Sequence, residues 1–377
     1  MEPDPIYLDY NATTPVDPEV VEAMRPYLER HFGNPSSGHR YGIRAREAVE
    51  KARAQVADFL GCAPGEIIFT SGGTESNNLA IRGIMEARGT AQTHIITSAI
   101  EHPAVTEVCR YLENRGVSIT YLPVDEQGLL QLETLEISVT SDTSFITIMH
   151  ANNEVGTIQP IEEICTFARW AGIPVHTDAA QSVGKIPVTV DGLGVDLLSL
   201  AGHKLYGPKG VGALYIREGI ELKKQMHGAG HERDLRPGTE NVPEIVGLGE
   251  ACKIALRRLE DDMAHLTLLR DRLREQLTAH ITGIRVNGHP EKCLPNTLNV
   301  SIPGIDYFDI ASLMTDVALS MGSACHADSM TVSPVLTAMG VPPEYARGTI
   351  RISTGRFTTE DEVNRAGALI IQHMKKA

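Results

Sequence analysis

Residues 66–80 read EIIFTSGGTESNNLA. A short apolar, β-branched run ends in Thr-Ser, two glycines turn the chain, and a helical pattern opens at or near Thr74. Strand, glycine turn and helix in this order form the unit from which open α/β sheets are built. The first turn of such a helix has N–H groups without intrahelical partners and the positive end of the helix dipole, so it offers a seat for a phosphate. The stretch is neither GxGxxG nor a Walker A loop, and taken alone it reads more simply as an ordinary N-cap after a tight turn.

The same alternation continues to Arg217. Further candidate strands are HIITSA (94–99), VSITYLPV (117–124), SFITIMH (144–150), IPVHTDA (173–179), VDLLSLA (195–201) and VGALYIR (211–217). Helical patterns at Thr74–Ala87, Pro103–Asn114 and Ile161–Ala171 separate most of the early ones. This predicts an α/β fold with a mainly parallel sheet and helices on both faces. Several runs are apolar throughout, as strands buried on both sides must be. A long helical stretch follows, roughly Pro243–Ala279, then a strand-rich segment and a final helix. That last helix has a capping box, Thr359 with Glu362, and apolar positions Val363, Ala366, Ile370 and Met374 on one face. The expected division is a large domain over 15–255 and a small α+β domain made of 1–14 and 256–377.

Bulk properties narrow the function classes. The 377 residues suffice for a sizeable core. A net charge of −14 argues against a nucleic-acid or anionic-membrane surface. No apolar run is long enough to span a membrane, and the acidic start lacks a secretory h-region. The six cysteines (62, 109, 165, 252, 293, 325) stand singly, without a CxxC pair, so neither a disulfide framework nor a metal site is expected and a reducing cytoplasm is.

Three further segments carry candidate chemistry. VHTDAAQSVGK (175–185) puts Asp178 at a strand end with Gln181 three residues on. Strand ends in such sheets face the ligand crevice, although Asp178 equally suits a turn cap. LSLAGHKLYGPKG (198–210) ends another strand with His203 and Lys204. His102 follows a third strand in SAIEHPAV (98–105). A phosphate seat, a strand-end acid and a strand-end lysine together are the protein parts of a pyridoxal 5'-phosphate site. Near the C-terminus, MGSACHADSMTVSP (321–334) sets Cys325 beside His326. By itself that cysteine reads as a packing residue, a metal ligand or a reactive thiol.

With LDYNATTP (8–15), GNPSS (33–37), ANNEVGTIQP (151–160), RPGTENVPEIVGLG (236–249), LPNTLNVSI (294–302) and RISTGRFTTEDEV (351–363), these motifs resemble, in order and over nearly the whole chain, the selenocysteine lyase and group I cysteine desulfurase family. These are class V, fold-type I pyridoxal phosphate enzymes. The resemblance implies a seven-stranded, mainly parallel sheet and a homodimer with sites near the subunit interface. It implies Lys204 as Schiff-base lysine, Asp178 at the pyridine nitrogen, Gln181 at the ring hydroxyl and His102 stacked on the ring. Thr74 and His203 would hold the phosphate, joined by Thr239 of the other subunit. Asn153 and Arg351 would hold the substrate carboxylate, and Cys325 matches the family's catalytic cysteine. Tyr10, Asn11 and Asn34 sit in the family motifs without an assigned role.

Within the family, the Ala-Cys-His, Ser-Pro-Val-Leu and Gly-Val-Pro pieces around Cys325, and Ala201 in place of a serine, resemble the selenocysteine lyases. The expectation is therefore a lyase of selenium metabolism that converts L-selenocysteine to L-alanine, with His326 as a selectivity element. The alternative is an L-cysteine desulfurase that forms a Cys325 persulfide. Pro103 after His102 pulls toward that alternative. Either would hand selenium or sulfur to an acceptor protein.

Overall fold

The computed structural model describes residues 4–89, 93–305, 307–326 and 329–374; the side chains of Tyr307, of Ser323–His326 and of 329–331 also lie outside the description. After a two-residue strand β1 (Ile6–Tyr7), the central sheet is built from β2 (Ile67–Thr70), β3 (His94–Ser98), β4 (Ser118–Leu122), β5 (Thr143–Thr147), β6 (Val175–Asp178), β7 (Leu197–Ala201) and β8 (Gly212–Ile216). Their order across the sheet is β2-β8-β7-β6-β5-β3-β4. Only β8 runs antiparallel to its neighbours. The seven runs picked out in the sequence are these seven strands.

The apolar runs are explained by burial on both faces. In β2, Ile67 and Phe69 join the core on one side of the sheet while Ile68 faces the other. In β7, Leu198 and Leu200 join the first side and Leu197 the second. The period of two distributes every strand in this way. Helices Arg40–Leu60, Ile161–Ala171 and the first half of Val242–His280 cover one face. Helices Gly73–Arg88 and Pro103–Glu113 cover the other.

The second sheet comprises β9 (Arg285–Asn287), β10 (Thr297–Ser301), β12 (Ser320–Met321) and β15 (Thr349–Ser353), in the order β12-β15-β10-β9. Strand β1 pairs with β11 (Val317–Ala318), which binds the chain's beginning to this half. A hairpin of β13 (Ser323–His326) and β14 (Ser329–Val332) places Cys325 opposite Met330. The last helix, Glu360–Met374, begins at the expected box: Thr359 N–H donates to Glu362 Oε2 at 2.8 Å, and Glu362 N–H to Thr359 Oγ1 at 3.2 Å.

Helix Val242–His280 is continuous over 39 residues. Its residues Val242 to Ala255 pack in the central core, and Leu269, Leu273 and Leu277 pack in the core of the second sheet. We propose that the large unit passes to the small one within this helix, which puts the boundary expected at 255/256 inside a rigid element.

A buried ion network ties the halves. Arg356, in the turn after β15, donates from Nη1 to Asp17 at 2.9 Å and from Nε to Asp262 at 2.7 Å. Asp17 caps helix Pro18–Glu29 and Asp262 lies on the long helix. Arg356→Leu leaves the buried Asp17 carboxylate without its cation and Asp262 with only the more exposed Arg258 (3.2 Å), so unfolding in urea should shift to lower concentration by about 3–5 kcal/mol of stability. An unchanged midpoint would show that the network is dispensable.

Candidate active site

The cavity forms at the C-terminal ends of the parallel strands, because each βα connection turns there. The helix after β2 starts at Gly73, with no side chain capping it. Gly72 has φ of 149°, a conformation open to glycine and costly for residues with a Cβ. The N–H groups of this first turn therefore face the cavity unobstructed, beside Thr74.

The cavity measures about 370 Å³. It is lined by Thr74, His102, Asn153, Asp178, Gln181, His203, Lys204 and Arg351, gathered from six separate segments of the chain. Asn11, Asn77 and Ala201 complete part of the wall. Thr239 is exposed and outside the lining. Asn34 is also exposed and accepts from Ser36 N–H and Ser37 N–H within its own turn. Cys325 and His326 have described backbone in β13, but their side chains lie outside the described residues.

Asp178 ends β6 and is 7% exposed. Its Oδ2 accepts from Asn77 Nδ2 at 2.7 Å and its Oδ1 from Ala180 N–H at 2.9 Å. The turn cap and the cavity-facing acid are thus the same residue. Lys204 Nζ donates to the backbone carbonyls of Asn11 (2.6 Å) and Ala12 (2.8 Å). Burial, reinforced by the Arg351 charge and partly opposed by Asp178, brings its amine down to about 8. His203, at Nδ1 3.1 Å from Thr13 Oγ1, is lowered to about 4 by burial and by Lys204 and Lys209. It is therefore a neutral donor at neutral pH.

His102 caps helix Pro103–Glu113 with Nδ1, which accepts from Ala104 N–H at 3.0 Å. This bond assigns the neutral ring's proton to Nε2. Burial lowers its pKa, so the neutral form prevails. Arg351, on β15, donates to Asn153 O (3.0 Å), Asp9 (2.8 Å) and Ser320 (2.7 Å), while its buried Nε has no partner among the described residues. An unpaired buried guanidinium N–H is costly and marks where an acceptor belongs.

Two residues behind the wall escaped the sequence reading. Lys185 is fully buried and donates to Gln181 Oε1 at 2.8 Å and Asn11 Oδ1 at 3.1 Å. Burial, with Lys204 and Arg351 nearby, holds its pKa well below the usual lysine range. Glu101 accepts from Ser98 Oγ and Met149 N–H, and burial pushes its carboxyl up to about 8. The only signal was the Lys at the end of QSVGK and the Glu before His102, and neither type announces burial.

The donor set fits pyridoxal phosphate. An open helix N-terminus with Thr74 and His203 suits a dianion. Lys204 has a depressed pKa suited to reaction with an aldehyde. Asp178 is a held carboxylate within the same cavity, suited to a ring nitrogen.

Comparison with known proteins supports the same group. The chain is 48% identical over 361 residues to "Cysteine desulfurase IscS" of Dictyoglomus turgidum, covering 95% of this chain and 92% of that protein. It is 48% identical over 365 residues to the protein of that name from Pectobacterium carotovorum, covering 96% and 90%. Among solved structures, "NIFS-LIKE PROTEIN" superposes with a TM-score of 0.93 at 41% identity, covering 99% and 100%. "SspA in complex with cysteine" does so with 0.83 at 40%, covering 94% and 99%. These relatives correct the expectation of a selenocysteine lyase. That expectation rested on Ala201, His326 and short pieces around them, whereas the cofactor residues are common to both chemistries and identity runs over the whole chain. The aminotransferase class-V model matches residues 6–366. The chain therefore belongs to the aminotransferase class-V family of pyridoxal phosphate-dependent enzymes, with a fold-type I architecture.

Proposed function

We propose that the protein is an L-cysteine desulfurase, converting L-cysteine to L-alanine and leaving its sulfur on Cys325 as a persulfide. The observation that carries this reading is one cavity joining Lys204, Asp178 and Arg351, in a chain nearly half identical to proteins called cysteine desulfurase.

When bound, pyridoxal phosphate accepts the electrons released at the substrate's α-carbon, which no side chain here can do. Thr74, His203 and the N–H groups of the Gly73 turn would bind its phosphate, Gln181 its ring hydroxyl and Asp178 its ring nitrogen. The fixed charge of Asp178 favours a proton on that nitrogen. His102, locked by Ala104 N–H, would cover the ring face. Lys204 would hold the cofactor between turnovers and take the α-proton at Nζ; an amine near 8 is matched to that task at neutral pH. Arg351, through its unpaired Nε, would hold the substrate carboxylate with Asn153, which orients the α-carbon toward Lys204.

The thiolate of Cys325 would attack the substrate sulfur. An S–S bond forms as the Cβ–S bond breaks, the electron pair of the broken bond stays with carbon, and a proton completes the methyl group of L-alanine. The enzyme keeps Cys–S–SH, so atoms and electrons balance without an external oxidant. An acceptor protein would remove that sulfur. Thr239, exposed in one chain, would reach the phosphate of a second copy, as a homodimer requires. No described helix is long and apolar enough to cross a membrane. The six cysteines stand singly in the sequence, without a CxxC pair, which is the ground for proposing a cytoplasmic, reducing setting.

With L-cysteine, wild-type protein should release L-alanine and carry one labile sulfur on Cys325, read by mass spectrometry after alkylation. Cys325→Ala should retain the cofactor but form neither persulfide nor alanine. Alanine release without any sulfur on Cys325 would overturn this reading. Lys204→Ala should lower turnover by at least about 10²–10⁴-fold, the range of a lost general base.

The Lys204 amine also sets a pH dependence. Only its neutral form captures an aldehyde, and its pKa lies below the ordinary 10.5. The rate at which cofactor-free protein binds pyridoxal phosphate should therefore rise with pH and level off above about 8. A rise continuing to 10 would contradict the site's electrostatics.

A further inference from the structure

The base of the Cys325 hairpin is fastened to the active-site loop by one side chain. Ser333, immediately after β14, donates from Oγ to Glu154 Oε2 at 2.5 Å. Ser333 N–H also donates to Gly322 O at 2.9 Å, and Gly322 N–H donates to Thr349 O at 2.9 Å. The two ends of the hairpin are thus closed on each other. One end is held by β15, two residues from Arg351, and the other by Glu154, next to the cavity-lining Asn153.

The loop does not need the Glu154 side chain. Its backbone is fixed independently: Glu154 N–H and Val155 N–H donate to Asn152 Oδ1, and Glu154 O accepts from Asn299 Nδ2. Among the described residues, Ser333 is the only hydrogen-bond partner of the Glu154 carboxyl. Burial raises the pKa of that carboxyl, with Ser333 and Arg351 opposing the rise. A partly buried carboxyl whose hydrogen bond reaches across to the hairpin base is placed to hold that base in position.

We propose that Glu154 is a positioning residue for sulfur transfer: its bond to Ser333 sets the base of the Cys325 hairpin relative to the substrate-binding loop. This rests on the desulfurase reading, with Cys325 as sulfur acceptor. Glu154 acts through the hairpin and touches neither substrate nor cofactor.

The test separates the two halves of the reaction in cofactor-loaded protein. Glu154→Ala should keep the visible cofactor band and the spectral change on adding L-cysteine, with the same half-saturating concentration. Its rate of sulfur transfer to Cys325 in a single turnover should fall by up to about 100-fold, the loss that a misplacement of reacting groups by about 1 Å can cause. Glu154→Gln, which still accepts from Ser333, should restore transfer. Glu154→Asp, with the charge but a shorter reach, should not, and this pair decides the matter if the alanine variant fails to fold. Normal transfer in Glu154→Ala, or rescue by Asp and not Gln, overturns the proposal. So does an equal loss of L-cysteine binding and transfer, since that reports a general disturbance of the site. Absence of labile sulfur on wild-type Cys325 overturns the desulfurase reading itself, and this proposal with it.

Discussion

Asn11 is the joint on which the cavity depends. Its carbonyl accepts from Lys204 Nζ and Gln181 Nε2, and its Oδ1 accepts from Lys185 Nζ and Asn296 Nδ2. Its Nδ2 donates to Asn153 O and Thr297 Oγ1, and its N–H to Ser353 Oγ. Every polar group of a residue 1% exposed is therefore used. These partners come from the central sheet's loops and from β10 and β15 of the second sheet. A saturated buried network of this kind allows one arrangement, because any displacement strands several donors at once. The strap at residues 9–14 thereby holds both halves to the same cavity.

That network also sets the electrostatics. The chain is acidic overall, yet Lys204, Lys185 and Arg351 converge here; beside burial, Arg351 weakens the hold of both lysines on their protons, and Lys204 weakens that of Lys185. Net charge, a property of the whole surface, says nothing about a site where burial and like charges dominate. The concentration of cations suits a phosphate and a substrate carboxylate. Burial first, and the Arg351 charge second, keep the Lys204 amine within reach of its neutral form, which a lysine on the open surface would not be.

On the desulfurase reading proposed above, the chemistry divides between two structural units. Cofactor and proton handling would belong to the C-terminal ends of the central strands, whose geometry is fixed by a sheet buried on both faces. Sulfur handling would belong to a separate hairpin joined at its base to β15 and to the loop after β5. A resemblance confined to the residues beside Cys325 was therefore a poor guide to the substrate. That short segment is a small part of the chain, whereas the class of the enzyme is carried by the whole framework.

The sequence by itself determined the order of strands and helices, since apolar period, glycine turns and the Thr359–Glu362 box are local. It also exposed Lys204, Asp178, His102 and Arg351, because each sits in a recognisable motif at a strand end or in a strand. It could not show that Asp178 both caps a turn and faces the cavity. Lys185 and Glu101 gave no sign of burial, as lysine and glutamate ordinarily belong to the surface. The bond of Glu154 to Ser333 spans 179 positions and no local pattern encodes it. What only the tertiary structure decided are these long-range contacts and the shifted pKa values that follow from them. Both arise from desolvation and proximity in space, and neither exists until the chain has closed.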